Sequence, residues 1–143
     1  MRLWIKDPLA CLADGAERGL VVENDRIIEI VAGGGQPKSA VDATFDASRH
    51  VVLPGLINTH HHMFQTLTRA HPAAINKNLL PWLEGLLPHW TQLTPEALRI
   101  ATRLALVELL MSGCTCTVDH HYLVPEGCED AVDIQVEEAR RVG

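Results

Sequence analysis

Apolar residues in the first third of the chain come in short runs that end on turn residues. Leu3-Trp4-Ile5 reads as a brief strand. Gly19-Leu-Val-Val-Glu23 and Arg26-Ile-Ile-Glu-Ile-Val31 flank Asn24-Asp25, a two-residue turn of hairpin type. Gly33-Gly34-Gly35-Gln-Pro37 is a loop. Thr44-Phe45-Asp46-Ala47 and His50-Val-Val-Leu53 read as two more short strands. The pattern predicts a small antiparallel β module over residues 1–53.

From Pro54 the period changes. Gly55–Thr59 reads as a buried strand, and Met63–Ala70 starts a helical or irregular segment. Residues 71–93 hold three Pro and two Trp and read as an extended loop with short helical pieces. Thr94-Pro95 then marks a helix start, with Thr as N-cap and Pro in the first turn. Leu98, Ala101, Leu104, Ala105, Val107 and Leu110 keep helical spacing up to Met111, and Gly113 supplies the stop. Thr115–Asp119 reads as a second buried strand. Glu129–Val142 is a second amphipathic helix, acidic at its start and basic at Arg140-Arg141, which suits the helix dipole. Strands alternating with helices after an all-β prefix predict an α/β fold with a parallel sheet over residues 54–143.

Composition narrows the partners. The chain has 143 residues, 47% of them hydrophobic and 21% charged, with a formal net charge of −6. That balance gives no basic field for phosphate neutralisation, so no nucleic-acid partner is expected. A small neutral heterocycle would not be repelled. No apolar run approaches the roughly 20 residues a membrane helix needs. Met1-Arg-Leu-Trp-Ile-Lys-Asp-Pro8 lacks the long apolar stretch of a secretory signal, so no membrane partner is expected either. The four Cys (11, 114, 116 and 128) form no Cys-x-x-Cys pair, and a cytoplasmic setting fits them. Cys114 and Cys116 would share a strand face, where packing is a better account than zinc ligation.

The candidate chemistry sits at the end of the first strand of the α/β part. Pro54-Gly-Leu-Ile-Asn-Thr-His60-His61-His62-Met-Phe-Gln65 carries a His-x-His pair. Side chains two apart in a strand point to one face, so His60 and His62 aim at one point and His61 aims away. Two converging imidazoles are half of a metal site. A lone His pair is more often packing or surface; the strand before it, the Pro-Gly and the Gln after it favour metal. Gln65 offers a donor and an acceptor to a heterocycle edge, against an ordinary loop amide. Trp82 is a candidate pocket wall, and Trp90 is expected to pack. Asp119, His120 and His121 lie at the C-terminal end of the second strand, where barrel active sites are built. One of the two His faces inward; His121 is taken as the substrate-contact candidate. Arg69 is better read as an ordinary ion pair than as a substrate clamp.

The stretch Pro54–Gln65 closely resembles the first-strand signature of the amidohydrolase superfamily. Asn78-Leu-Leu-Pro-Trp82-Leu, Leu93-Thr-Pro-Glu-Ala with Leu109-Leu-Met-Ser-Gly-Cys-Thr, and Val118-Asp-His-His-Tyr-Leu agree with it. Within it the chain is most similar to the deaminase branch, notably the 8-oxoguanine deaminases, through Gln65-Thr-Leu-Thr-Arg69-Ala and Asp119-His120-His121-Tyr122. The resemblance implies a (β/α)₈ barrel preceded by a small β-sandwich module that strands from the far C-terminus complete. It implies one divalent metal, zinc first, with iron or manganese as alternatives. His60 and His62 match two of its ligands. A third His, an Asp and a proton-shuttling Glu come from later strands, so no catalytic residue is assigned here. The implied reaction is hydrolytic deamination of a small purine-like heterocycle, with ammonia released, by a homo-oligomeric parent. The Gln at position 65 and the Trp at 82 lie against the ring in such enzymes.

A full barrel needs about 250 residues. The chain is therefore expected to be an incomplete barrel, the N-terminal part of a longer enzyme, inactive alone and prone to aggregate or stay molten. Two alternatives stand beside this reading. One is an s-triazine or pyrimidine aminohydrolase of the same superfamily; the other is a non-catalytic truncated or subunit form.

Overall fold

The computed structural model describes residues 1–143, which divide into two compact units, Met1–Pro54 and Gly55–Gly143. No helix is long and apolar enough to cross a membrane.

The first unit holds β1 (Arg2–Lys6), β2 (Ala10–Cys11), β3 (Gly19–Glu23), β4 (Arg26–Val31), β5 (Ala43–Asp46) and β6 (Val51–Val52). Four strands form one sheet in the order β4-β3-β1-β5, and β2 pairs with β6. The hairpin β3–β4 turns at Asn24, whose φ of 54° is the left-handed conformation such a turn requires. The expectation of an antiparallel module is corrected. β1 pairs antiparallel with β3 but parallel with β5, and β2 pairs parallel with β6. The reason is the crossover: β4 runs the same way as β1, and residues 32–42 carry the chain back to the starting end of the sheet, so β5 runs along the free edge of β1 in the same direction. The two-residue β2 carries no alternation and went unpredicted. Trp4, Val21 and Val31 form the core of this unit, and Trp4 Nε1 donates to the Arg18 carbonyl at 3.0 Å.

The second unit runs β7 (Leu56–His61), a 3₁₀ helix (Met63–Thr68), α1 (Leu79–Trp90), α2 (Pro95–Met111), β8 (Cys114–Asp119) and α3 (Ala131–Val142). β7 and β8 pair in parallel, as expected of successive βα units. Thr94 caps α2 by accepting from the Ala97 N–H at 3.2 Å, and Gly113 follows the helix with φ 83°. Both agree with the sequence. α3 starts at Ala131 rather than Glu129, because the Glu129 carboxylate accepts from the Gly127 N–H at 2.9 Å and holds a turn.

The segment read as an extended loop contains a twelve-residue helix, α1. Its prolines do not break it. Pro81 sits in the first turn, where the N–H has no helical partner anyway, and Pro88 in the last turn removes a single bond. Gly85 has a different task. A Cβ there would come within 2.7 Å of the Ala73 carbonyl oxygen, so glycine lets α1 press against the preceding segment. Phe64, Leu86, Trp90, Leu98, Ala131 and Ile134 make the core on which the helices meet.

The expectation that both strands of this unit are buried is also corrected. Leu56 is 57% and Ile57 68% exposed, so neither side chain is covered by these residues. Cys114 is buried while Cys116 is exposed, and a register shift opposite Leu56 and Ile57 accompanies the difference.

α2 and α3 are joined by charge. The fully covered Glu138 carboxylate takes Arg103 at 2.8 Å, Arg141 at 3.0 Å and Arg99 at 3.5 Å. Its pKa lies below the ordinary carboxylate value, first through the Arg103 hydrogen bond. A depressed folded-state pKa gives stability that is present above the ordinary value of 4.5 and lost as pH falls through the folded value. Glu138→Gln should therefore lower the urea midpoint of the helical signal at pH 7. The gap from wild type should close progressively as the pH falls below 4.5. An equal gap at both pH values would mean that packing, not charge, is what Glu138 contributes.

Candidate metal centre

His60 and His62 leave the end of β7 on the same side. Their Nε2 atoms lie 3.0 Å apart, close enough for one ion to sit within about 2.1 Å of both. Two local features set this geometry. The β7–β8 register shifts between Asn58 and His61, and Asn58 Oδ1 accepts from the His60 N–H at 3.0 Å in place of a ladder bond. Beyond the strand, His62 Nδ1 lies 2.8 Å from the His120 carbonyl oxygen. A carbonyl only accepts, so His62 carries its proton on Nδ1 and keeps the Nε2 lone pair for a cation. The donor set therefore fits a divalent ion of the zinc, iron or manganese kind. No third His, Cys, Asp or Glu joins the pair to make a larger ligand group.

Which His at the end of β8 faces the pair is settled by packing. The His120 ring stacks on His60 at 4.5 Å with planes 6° apart, so one residue orients both imidazoles, one through its ring and the other through its carbonyl. His121 turns the other way. Its side chain is 6% exposed, its ring lies 5.3 Å from Phe64, and neither ring nitrogen has a hydrogen-bond partner. The expectation of His121 as the substrate contact is corrected accordingly: it does not face the pair. Strand parity failed here because β8 ends at Asp119, so alternation no longer assigns the next two side chains.

Asp119 is a tie rather than an open carboxylate. It accepts from the Met63 N–H at 2.8 Å and from Gln135 Nε2 at 2.7 Å, joining the end of β8 to the chain just past His62 and to α3. His61 is held below the ordinary imidazole pKa by burial, the nearby Asp119 partly offsetting it.

An open hollow of about 250 Å³ lies beside the pair, lined by His60, His61, His62, Gln65, Thr66 and Arg69. Gln65 sits one 3₁₀ turn past His62, its N–H bonded to the His62 carbonyl at 3.0 Å. Its Nε2 donates to Tyr122 Oη at 2.7 Å. Tyr122 enters the sequence reading only as the end of the Asp119–Tyr122 run and has no role there, although its place directly after the His pair at the end of β8 was a usable signal. Arg69 pairs with Glu108 at 2.6 Å, as expected of an ordinary ion pair. Trp82 is corrected too. Its ring lies 5.2 Å from Trp90 at the edge of the hydrophobic cluster, and it does not line the hollow. Trp90 is fully buried, as its packing role requires.

Comparison with known proteins places this arrangement. Residues 51–142 match the amidohydrolase family. The chain is 54% identical to an 8-oxoguanine deaminase from Pseudomonas aeruginosa over 99% of its own length and 32% of that protein. It is 39% identical to an isoxanthopterin deaminase from an unknown prokaryotic organism, over 68% of this chain and 21% of that one. Among solved structures it is similar to the atrazine chlorohydrolase of Arthrobacter aurescens complexed with zinc. The TM-score there is 0.81 at 26% identity, covering 99% of this chain and 34% of that one. The matches thus span between about a fifth and a third of the length of these relatives. A strand-borne His-x-His pair in this setting, matched over most of the second unit, leaves one assignment: the chain belongs to the amidohydrolase family.

Proposed function

We propose that this chain supplies the first two βα units, and two of the metal-binding imidazoles, of a hydrolytic deaminase acting on a purine-like heterocycle such as 8-oxoguanine. The observation that carries the reading is the 3.0 Å convergence of two neutral-capable Nε2 atoms at the end of β7. The 54% identity to an 8-oxoguanine deaminase over nearly the whole chain supports the substrate class. The triazine alternative rests on neighbours at 26% identity and is weaker.

A divalent cation, zinc first, supplies the Lewis acidity that makes water a nucleophile near neutral pH. His60 and His62 would hold it through Nε2, and the His120 carbonyl keeps the His62 proton on Nδ1, away from that position. Gln65 orients the ring edge in the hollow. In the overall reaction water adds at the ring carbon bearing the exocyclic amine. That C–N bond breaks, ammonia leaves with the proton it needs, and a ring carbonyl remains. The third His, Asp and Glu that the family chemistry uses have no counterpart around the pair. Turnover by these residues alone is therefore not expected.

A hybrid tests this. Residues 1–143 replace the matching third of the Pseudomonas 8-oxoguanine deaminase, and ammonia release is measured from 8-oxoguanine, cytosine and a hydroxytriazine. Preference for 8-oxoguanine is expected; preference for the triazine would move the assignment to the alternative. In the same hybrid, Gln65→Ala should leave zinc content unchanged and reduce kcat/KM for 8-oxoguanine about 10- to 100-fold, the size of one or two lost hydrogen bonds. Loss of zinc from Gln65→Ala would show that the residue is structural.

A further inference from the structure

Gln65 is an unusual ring contact because one of its own hydrogens is already committed. A free primary amide can turn over and present either its oxygen or its nitrogen to a ligand, so by itself it reads no particular edge. Here Nε2 donates to Tyr122 Oη at 2.7 Å, while Oε1 has no protein partner and the residue lines the hollow beside His60 and His62. Tyr122 is half-exposed, with its ring braced on one side. Its ring meets His62 edge-on at 5.1 Å and Phe64 at 5.3 Å, with planes at 84° and 82°. Phe64 in turn is fully buried against Trp90. The hydroxyl therefore stands on an aromatic stack rooted in the core of the unit.

We propose that Tyr122 is a positioning residue that sets the substrate edge Gln65 can read. With one N–H tied to the phenol, the amide presents Oε1 as an acceptor and its remaining N–H as a donor. That pair complements a lactam edge, a ring N–H beside a C=O, as 8-oxoguanine carries. A heterocycle whose edge offers only bare ring nitrogens gives Oε1 no donor and forgoes that hydrogen bond. The inference rests on the proposed function for the presence of a heterocycle in the hollow, but it concerns the selection of that ligand and not the hydrolysis.

The test uses the zinc-loaded hybrid and calorimetric binding of two probes that lack the exocyclic amine and so are not deaminated, 6,8-dioxopurine and purine. Only 6,8-dioxopurine carries a lactam edge. Tyr122→Phe keeps the ring contacts and removes the hydroxyl. It should reduce the affinity ratio of 6,8-dioxopurine to purine about tenfold, the worth of one hydrogen bond. In a Gln65→Ala background the same substitution should leave the ratio unchanged, because Tyr122 acts through Gln65. A ratio unaltered by Tyr122→Phe overturns the proposal. So does an equal drop with and without Gln65, which would make Tyr122 a wall or a direct contact. Tight binding with the predicted ratios but no ammonia release from 8-oxoguanine sinks the deaminase reading and leaves this one standing. Failure of the hybrid to bind either probe overturns both.

Discussion

His60→Ala in the hybrid enzyme is expected to abolish zinc loading and ammonia release together, with kcat/KM falling at least about 10³-fold, the scale on which removing metal-derived activation of water acts. The two imidazoles face each other at 3.0 Å, so removing one leaves the other as a single monodentate donor. The His120 ring that stacks on His60 at 4.5 Å would also lose its partner, though its carbonyl still holds His62. Metal content by emission spectroscopy and ammonia by a coupled assay, read on one preparation, decide the matter. Full metal with full rate would remove His60 from the ligand set. Full metal with no rate would move it to the substrate side. His120→Ala should be milder. It leaves the backbone carbonyl in place and only frees the His60 ring.

Trp90→Ala should be the most damaging core change, costing about 3–5 kcal/mol, the range for deleting a large buried aromatic. Trp90 is 0% exposed and meets Phe64 and Trp82 edge-on at 5.3 Å and 5.2 Å. Its Nε1 also donates to Thr68 Oγ1 at 3.0 Å, fastening α1 to the end of the 3₁₀ helix. The loss should reach the candidate centre, since Phe64 lies two residues past His62 and supports Tyr122. Trp90→Phe keeps most of the apolar volume and loses the single hydrogen bond, so its cost should stay near 1–2 kcal/mol. Denaturant midpoints of the hybrid, combined with zinc affinity, check both. A Trp90→Ala cost below about 1 kcal/mol would mean that the cluster closes over the gap and that α1 is not anchored there.

Much of the architecture could be read from the residues because its signals are local. Asn24-Asp25 between two apolar runs specified a hairpin, and Thr94-Pro95 specified a helix start; both are present. Period-two geometry at His60 and His62 brought their rings to one side without any knowledge of the rest of the fold. What was not legible depends on partners distant in sequence. The parallel pairing of β1 with β5 has no local mark, because an isolated strand reads alike in either direction. The helix at Leu79–Trp90 was hidden by two prolines whose harm depends on where the helix begins and ends. The choice between His120 and His121 failed for the same kind of reason. It is made by a stack on His60 and a ring contact with Phe64, neither of which exists until β7 and β8 have paired.

The bond between His62 Nδ1 and the His120 carbonyl spans 58 residues. An imidazole that owes its proton position to a distant backbone atom is ready for a cation only after that loop has closed. Loop closure of this length is entropically slow compared with forming a local turn. The candidate cation pocket is therefore expected to form late in folding. Any change that delays or loosens strand pairing, even far from the rings, should be felt first as weakened ion capture, before bulk helicity declines.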